Sequence, residues 1–309
     1  MRVLTDIDRD AIGQLVARDE FFWLDLTAPT AEDLEHLRHE LDLELPPEDI
    51  PGMRRRLFDD HEDYVVLVWR GADAGEDGHI EPFDVFVYIA GNFIVTYHDT
   101  QVEELDRLRR RLHRRGQQEE QLVVARVLDA VTDSFLTVLS AIDELIAEIE
   151  DAVVENPGAD QLHEVSRLQR ELLALRRVVN PESDLLRRVA DVIADVPGLE
   201  EGSRDYLRDV ADDLSRISGQ IDNYGELLTS VTDIYLSTVS NRLNGVMSKL
   251  TIVATIFLPL TFVTGFFGQN FTWMVDHVDS AAAFFGWGIG TLAATVGMLV
   301  LWFRRSGYI

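Results

Sequence analysis

A stripe of small and polar residues follows one long stretch of the chain. Its members recur at alternating steps of three and four residues, so they lie on one face of a helix. Hydroxyl and amide oxygens on that face can solvate a cation if several copies of the helix surround a common axis. The alternative is close packing between helices through small side chains, and the spacing does not separate the two. The stripe consists of Asp233, Ser237, Ser240, Asn244, Met247, Thr251, Ala254, Leu258, Thr261, Gly265 and Gly268.

The stripe runs into an uncharged apolar stretch, Leu250–Phe271, which starts directly after Lys249. At about 1.5 Å per helical residue, this stretch can cross a hydrocarbon core of roughly 30 Å. It ends in the polar tripeptide Gly268-Gln269-Asn270. The end of a spanning helix is where a pore can meet water, so this tripeptide marks a candidate mouth.

A second uncharged apolar stretch extends over Ala281–Phe303 and stops at Arg304 and Arg305. The connector between the two stretches, 272–280, is acidic and carries Asp276. Basic residues flank the outer ends of this hairpin, so the positive-inside rule predicts cytoplasmic termini and an external connector. The alternative is a buried hairpin in a soluble core, which two such runs with this charge layout disfavour.

The rest of the chain is charged and water-soluble in character. The 309 residues include 55 acidic and 28 basic ones, a formal net charge of −27, and no cysteine. Such a surface repels nucleic acid and attracts cations. The lack of cysteine excludes disulfides and thiolate-ligated zinc. We expect no signal peptide, because no apolar run follows the N-terminus. Together with the two apolar stretches, we expect a multi-pass protein of a bacterial or archaeal plasma membrane.

Residues 1 to about 100 predict a mixed α/β domain. Thr30 is followed by acidic residues and has the chemistry of a helix N-cap. Runs of β-branched and aromatic residues predict strands at Phe21–Leu26, Tyr64–Trp69, Phe83–Ile89 and Phe93–Tyr97, with turns at Gly71–Gly78 and Gly91-Asn92.

The remainder predicts helices. They cover Glu103–Arg115, Gln121–Val154 and Gln161–Val179, with a restart at Asn180-Pro181. From Ser203 nothing breaks the helix until Pro259, and an apolar heptad seam runs along it through Leu207, Val210, Leu214, Ile217, Ile221, Tyr224, Leu228, Val231 and Tyr235. The predicted organisation is a cytoplasmic domain at 1–200, a stalk helix at 201–249, transmembrane helices at 250–271 and 281–303, an external loop at 272–280 and a cytoplasmic tail at 304–309.

Several motifs cluster over Asp233–Asp276. They include Asn241-Arg242-Leu243-Asn244, Pro259-Leu260-Thr261-Phe262 and Gly268-Gln269-Asn270. A bare Gly-x-Asn is uninformative, but at these offsets from the other two motifs it is specific. The group closely resembles the CorA family of divalent-cation channels and transporters, whose signature is Gly-Met-Asn. The order of elements fits that family across the whole chain.

The resemblance implies a homopentamer in which the stalk helix and the first membrane helix line a central pore. The Gly-x-Asn loop then forms the outer mouth, where the Asn270 side chain and the backbone carbonyls of Gly268 and Gln269 contact an ion that keeps its water. The family also implies polar rings of Asn244 and Thr261, a hydrophobic constriction of Met247, Leu250 and Leu258, and an acidic ring of Asp233 at the cytoplasmic exit.

The family is regulated by divalent ions bound between the cytoplasmic domains of neighbouring subunits. The matching positions in this chain are Asp49 and Asp209. A carboxylate pair across an interface suits a hard cation and repels itself when empty. A solvated surface acid is the alternative at each position. The resemblance thus implies Mg²⁺ both as substrate and as regulatory ligand, and no cofactor.

Gln269 stands where the family signature has methionine. The zinc-transporting branch of the family also lacks that methionine, so the ion stays open among Mg²⁺, Zn²⁺, Co²⁺ and Ni²⁺. Asp276 would form an outer acidic ring that concentrates any of these cations. Zinc favours imidazole or thiolate ligands, and the connector offers only His277. We therefore expect Mg²⁺ as the transported ion.

Two other classes of function were weighed against a channel. A membrane-tethered sensor or scaffold explains the hairpin and the heptads but does not need a polar stripe inside the bilayer. An enzyme is disfavoured, because the eight histidines are scattered and the chain has neither a cysteine nucleophile nor a phosphate loop. The sequence therefore predicts an α+β cytoplasmic domain, a long stalk helix and a two-helix transmembrane hairpin, assembled in the lipid bilayer as a CorA-like homopentamer for divalent cations.

Overall fold

The computed structural model describes residues 1–44, 57–75, 79–115, 122–196, 203–269, 272–277 and 280–305. The chain divides into two compact units, Met1–Thr232 and Asp233–Ile309. One helix, Ser203–Phe267, begins in the first unit and ends in the second.

Within those ranges a mixed sheet forms the centre of the first unit. Its strands are β1 (Arg2–Leu4), β2 (Phe22–Thr27), β3 (Phe58–Asp60), β4 (Tyr64–Ala74), β5 (Ile80–Ala90) and β6 (Phe93–His98). Their spatial order is β1-β2-β6-β5-β4-β3. β2 pairs in parallel with β1 and β6, and the other neighbours are antiparallel. The central strands are almost wholly buried, so they are covered on both faces.

The four predicted strands are confirmed, but the predicted turn at Gly71–Gly78 is wrong in its first half. Strand β4 continues through Gly71 to Ala74. A Cβ atom on Gly71 would lie 2.2 Å from the Phe83 ring. Glycine therefore serves here as a point of close approach inside a strand and not as a turn residue.

Helices α1 (Arg9–Ala17) and α2 (Ala31–Leu41) pack beside the sheet, and their buried leucines belong to its core. The predicted N-cap of α2 is confirmed. The Thr30 hydroxyl oxygen accepts from the Asp33 amide at 3.2 Å, while the Asp33 carboxylate accepts from the Thr30 amide at 2.8 Å. This reciprocal pair fixes the start of the helix.

Four longer helices follow. They are α3 (Glu103–Arg115), α4 (Val123–Glu155), α5 (Ala159–Ala194) and α6 (Ser203–Phe267). The predicted restart at Asn180-Pro181 is wrong, because α5 runs through Pro181 without a break. Helix α6 likewise continues through Pro259. Proline removes one internal hydrogen bond but does not end a helix whose other contacts hold it in place.

The second unit contains the end of α6 and the C-terminal helices. These are α7 (Thr272–His277), α8 (Ala281–Ala283), a π-helical segment (Phe284–Ile289) and α9 (Gly290–Arg305). The connector, expected as a loop, thus contains a short helix. Helix α6 and the Ala281–Arg305 helix are both long and apolar enough to cross a membrane, and their apolar windows are unburied in the single chain.

Candidate functional site

Helix α6 carries the two predicted seams, and they differ in their surroundings. The apolar seam from Leu207 to Val231 lies in the first unit, and Tyr235 follows it in the second. Its half-buried members are Tyr224 and Tyr235. Its fully buried members are Leu207, Val210, Leu214, Ile217, Ile221, Leu228 and Val231.

A series of polar contacts fixes the first part of α6 against α5. Because the two helices are antiparallel, residues late in α5 meet residues early in α6. The contacts are Arg176–Asp222 at 2.8 Å, Asn180–Ser218 at 2.6 Å, Arg187–Asp212 at 2.5 Å and Asp191–Arg204 at 2.9 Å. The apolar seam and these contacts together set the rotation of α6 about its own axis.

Beyond Thr232, α6 has no fully buried residue in the single chain, and the polar stripe lies in this part of the helix. Every member of the stripe from Asp233 to Gly268 is exposed in the single chain. The apolar members are exposed as well, with Leu258 at 77% and Met247 at 53%. An apolar surface of this extent is covered by other chains or by lipid in a stable protein.

Two hydroxyls on the stripe already have partners for their protons. Thr251 donates to the Met247 carbonyl at 2.8 Å, and Thr261 donates to the Phe257 carbonyl at 2.8 Å. Each hydroxyl oxygen keeps lone pairs that can accept from water. A hydrated cation presents water protons outward, so these oxygens suit an ion that keeps its shell.

The candidate mouth lies at the C-terminal end of α6. Gly268 donates its amide to the Thr264 carbonyl at 2.9 Å, and Gln269 donates to the Phe266 carbonyl at 3.3 Å. The C-terminus of a helix carries partial negative charge, which favours a cation beside it. Gly268 and Gln269 are exposed, and Asn270 lies outside the described residues.

The connector helix places His277 and Asp276 at the surface. The His277 ring stacks on Trp273 with centroids 4.5 Å apart, and its Nδ1 lies 2.8 Å from the Trp273 carbonyl. A carbonyl can only accept, so Nδ1 carries the proton. The neutral ring then keeps its Nε2 lone pair for another partner.

Of the two predicted regulatory acids, only Asp209 lies in the described part of the chain. Asp209 is exposed on α6 and makes no hydrogen bond or ion pair with any other described residue. Asp49 lies outside the described residues. Across those same ranges, no three His, Cys, Asp or Glu side chains are placed to hold a metal ion.

Sequence reasoning missed two buried charged groups in the first unit. Asp25 interrupts the apolar strand β2, and Glu182 follows Pro181 inside α5; both are 1% exposed. A charged residue within an apolar run is a sequence signal for Asp25, whereas Glu182 lies among polar residues and has no such signal. Their partners come from elements distant in the chain, so local patterns could not identify them.

Comparisons with known proteins decide the family. Residues 18–305 match the model of the CorA-like Mg²⁺ transporter protein family. The chain belongs to this family. It is 29% identical over 258 residues to the cobalt/magnesium transport protein CorA of Thermotoga maritima, covering 80% of this chain and 71% of that protein. The complete structure of the CorA magnesium transporter from Methanocaldococcus jannaschii superimposes with a TM-score of 0.72 at 22% identity, covering 93% of this chain and 91% of the other.

A zinc relative is also present. The zinc transport protein ZntB of Pectobacterium atrosepticum is 25% identical over 183 residues, which is 59% of this chain and 54% of that protein.

These comparisons confirm the predicted CorA family and the function of a membrane transporter of divalent cations. They also confirm the predicted fold, an α+β domain with a long helix and an apolar hairpin. Enzymatic catalysis is excluded as the function, because members of this family move ions.

Proposed function

We propose that this CorA family member takes up hydrated Mg²⁺ through a homopentameric pore in the plasma membrane. The observation that carries this proposal is the exposed polar stripe of α6. In a single chain the part of the stripe inside the apolar stretch, from Thr251 to Gly268, would face lipid, which offers no donor to its hydroxyl oxygens. Five copies around an axis would instead turn the stripe toward a water-filled channel.

Residues of the stripe, together with Leu250, Gln269, Asn270 and Asp276, then form the zones of the pathway. Gly268, Gln269 and Asn270 form the outer filter, below an acidic ring of Asp276. The inner positions are the polar rings of Thr261 and Asn244, the hydrophobic constriction of Leu258, Leu250 and Met247, and the acidic exit ring of Asp233. Neutral oxygens at the filter hold the ion through its water, which Mg²⁺ releases reluctantly.

The charge distribution supports the proposed orientation. Arg304 and Arg305 end α9, and Lys249 precedes the apolar part of α6. Both termini then lie in the cytoplasm, with 272–280 outside. The first unit carries most of the net charge of −27. Its acids, Asp209 and Asp49 among them, would bind intracellular Mg²⁺ between neighbouring subunits and regulate the pore.

Zinc transport is the second candidate, and one specific observation favours it. His277 keeps Nε2 available beside Asp276, and imidazole nitrogen binds Zn²⁺, Co²⁺ and Ni²⁺ far better than it binds Mg²⁺. Against it, the described part of the chain offers one such imidazole at this end and no thiolate. Mg²⁺ therefore remains the proposed substrate.

Uptake by purified protein in liposomes tests the proposal. Mg²⁺, Zn²⁺, Co²⁺ and Ni²⁺ are supplied separately, and mass determination of the detergent-solubilised protein gives the number of subunits. We expect Mg²⁺ uptake and a pentamer. Uptake of Zn²⁺ without Mg²⁺ would favour the second candidate, whereas a monomer or dimer would refute the shared pore.

A further inference from the structure

Glu182 of α5 is buried, although glutamate is rarely buried without a partner. Its Oε1 accepts a hydrogen bond from the backbone N–H of Arg70 at 2.7 Å. Its Oε2 is also buried and has no hydrogen-bond partner in the described part of the chain. An ionised carboxylate with one oxygen unsatisfied in such a place is unfavourable, so the arrangement favours the neutral acid.

The Arg70 amide lies on the outer edge of β4. Strand β3 pairs only with Val65–Leu67, so the amides beyond that point need other acceptors. The Ala72 amide, two residues further along, donates to the Ser134 hydroxyl at 3.0 Å. In the same way, the Glu182 carboxylate accepts from the Arg70 amide. A side chain of α5 thus completes the hydrogen bonding of the sheet edge.

The same turn of α5 also contacts α6. Ser183 donates to the Ala211 carbonyl at 3.0 Å, and Asn180 accepts from the Ser218 hydroxyl at 2.6 Å. Pro181 lies between them and has no N–H, so this turn lacks one internal helix bond. A locally weakened turn is therefore held by β4 on one side and by α6 on the other.

Two charged side chains act on Glu182. Arg70 favours its ionised form and Asp84 its neutral form. These two also pair with each other, with Arg70 Nε 3.1 Å from Asp84 Oδ1. The hydrogen bond from the Arg70 backbone N–H also favours the ionised form. Burial then dominates and raises the pKa of Glu182 well above its ordinary value of 4.5. The groups that α6 presents to this turn are hydroxyls and a carbonyl, which carry no charge.

We propose that Glu182 is a proton-operated link between the sheet and helix α6. When neutral, it holds the α5 turn against β4. When ionised, it holds a buried negative charge near Asp84 with one carboxylate oxygen unpaired, and moving the turn toward water relieves this cost. Ser183 transmits that movement to α6. The consequence for ion flux rests on the proposed function, in which the later part of α6 lines the pore.

The stability of the full-length protein tests the link itself. Because the folded-state pKa is raised, the stabilisation is present at low pH and is lost as pH rises from 4.5 through the folded pKa. We compare thermal unfolding of wild type and Glu182→Gln between about pH 5 and pH 9. Glutamine keeps the oxygen that accepts from Arg70 and cannot ionise, so it should remove this loss. Asp184→Asn, which removes an exposed carboxylate on the same helix, should follow wild type.

Ion flux tests the transmission to α6. Mg²⁺ uptake into liposomes is measured while the pH on the side of the first unit is varied. Wild-type flux should change with pH, by up to about tenfold for each unit by which the Glu182 pKa differs between conducting and closed states. Glu182→Gln should abolish this response. Ser183→Ala should keep the pH-dependent stability but lose most of the flux response.

If the thermal midpoints of wild type and Glu182→Gln depend on pH in the same way, Glu182 is not a proton-operated link. An unaltered flux response in Glu182→Gln or Ser183→Ala would overturn its coupling to the pore. A wild-type protein that moves no Mg²⁺ at any pH would instead refute the proposed function, and the stability curves would still decide the role of Glu182.

Discussion

The guanidinium of Arg109 lies 3.2 Å from the carboxylate of Asp25, a side chain with no exposed surface. Arg109 belongs to α3, whereas Asp25 belongs to β2 near the centre of the sheet. The Thr96 hydroxyl donates to the other oxygen of the same carboxylate at 2.5 Å, and His98 Nε2 lies 3.3 Å from it. The buried charge is thus balanced by groups from the neighbouring strand and from α3, and it ties that helix to the sheet.

Removing Arg109 should destabilise the first unit. Arg109→Gln leaves the Asp25 carboxylate buried with its main countercharge gone, which costs about 3–5 kcal/mol in comparable pairs. The thermal midpoint of the full-length protein, followed by tryptophan fluorescence, should fall by roughly 6–20 °C. Arg110→Gln is the control, because Arg110 is exposed on the same helix. Equal midpoints for the two variants would contradict the role given to the ion pair.

Gly71 provides a second test of packing. In Gly71→Ala the new methyl carbon would lie 2.2 Å from the Phe83 ring and 2.7 Å from the Ser134 hydroxyl, so β4 or α4 must shift. We expect a loss of about 1–3 kcal/mol in the free energy of unfolding. Gly13→Ala is the matched control: nothing lies within 4 Å of its Cβ position, and alanine in a helix is favourable by about 0.5–1 kcal/mol. A Gly71→Ala protein as stable as wild type would show that the site relaxes freely.

Three positions, Thr30, Gly71 and Pro181, show which parts of the fold can be predicted from sequence. Thr30 and its acid form a signal within four residues, so the start of α2 was predictable. The path of β4 through Gly71 depends on Phe83 and Ser134, which are distant in the chain. The same is true at Pro181, where bonds from α6 keep α5 continuous. Local patterns predict local chemistry, and they fail where a distant partner overrides it.

For the candidate site, the sequence predicts which face of α6 each residue occupies but not what that face contacts. Heptad spacing separates the apolar seam from the polar stripe, and the burial of Leu214 and exposure of Leu258 follow that division. Periodicity shows which residues share a face of a helix, but it does not show what packs against that face. Whether the stripe faces other copies or lipid depends on assembly, so the pore assignment stays a prediction. His277 was visible in the sequence, but its free Nε2 follows from the Trp273 carbonyl.

Asn270→Ala should abolish Mg²⁺ uptake while leaving the subunit number unchanged. The substitution removes the side-chain oxygen proposed to meet the hydrated ion, and the backbone carbonyls alone cannot replace it. Uptake into liposomes is measured beside the mass of the solubilised protein. Normal Mg²⁺ uptake by a correctly assembled variant would remove Asn270 from the filter.

Gln269→Met is the companion variant at the filter, because it restores the residue of the family signature. If Gln269 contributes only its backbone carbonyl, Mg²⁺ uptake should stay within about twofold of wild type, a change in barrier well below 1 kcal/mol. The ratio of Mg²⁺ to Zn²⁺ uptake should also be unchanged. A large change in that ratio would show that the Gln269 side chain selects the ion.

Asp209→Lys tests the proposed regulation by intracellular Mg²⁺. In the proposed pentamer, five acidic first units would repel one another, and cations bound between their carboxylates would hold a closed pore. Mg²⁺ can shift this equilibrium only as far as it binds the closed state more tightly. Because Asp209 has no partner within the described chain, it is free to share an ion with a neighbouring copy.

Lysine at this position replaces the shared ion with a fixed positive charge. The variant should show less Mg²⁺-dependent protection of α6 against protease, and internal Mg²⁺ should inhibit its current more weakly. Glu226→Lys makes the same change of charge at an exposed position further along α6, and it should behave as wild type. If the protection and inhibition curves of Asp209→Lys match those of Glu226→Lys, Asp209 does not bind the regulatory ion. The proposal that the stripe lines a pore would not be affected by that result, since the stripe begins at Asp233, beyond Asp209 on the same helix.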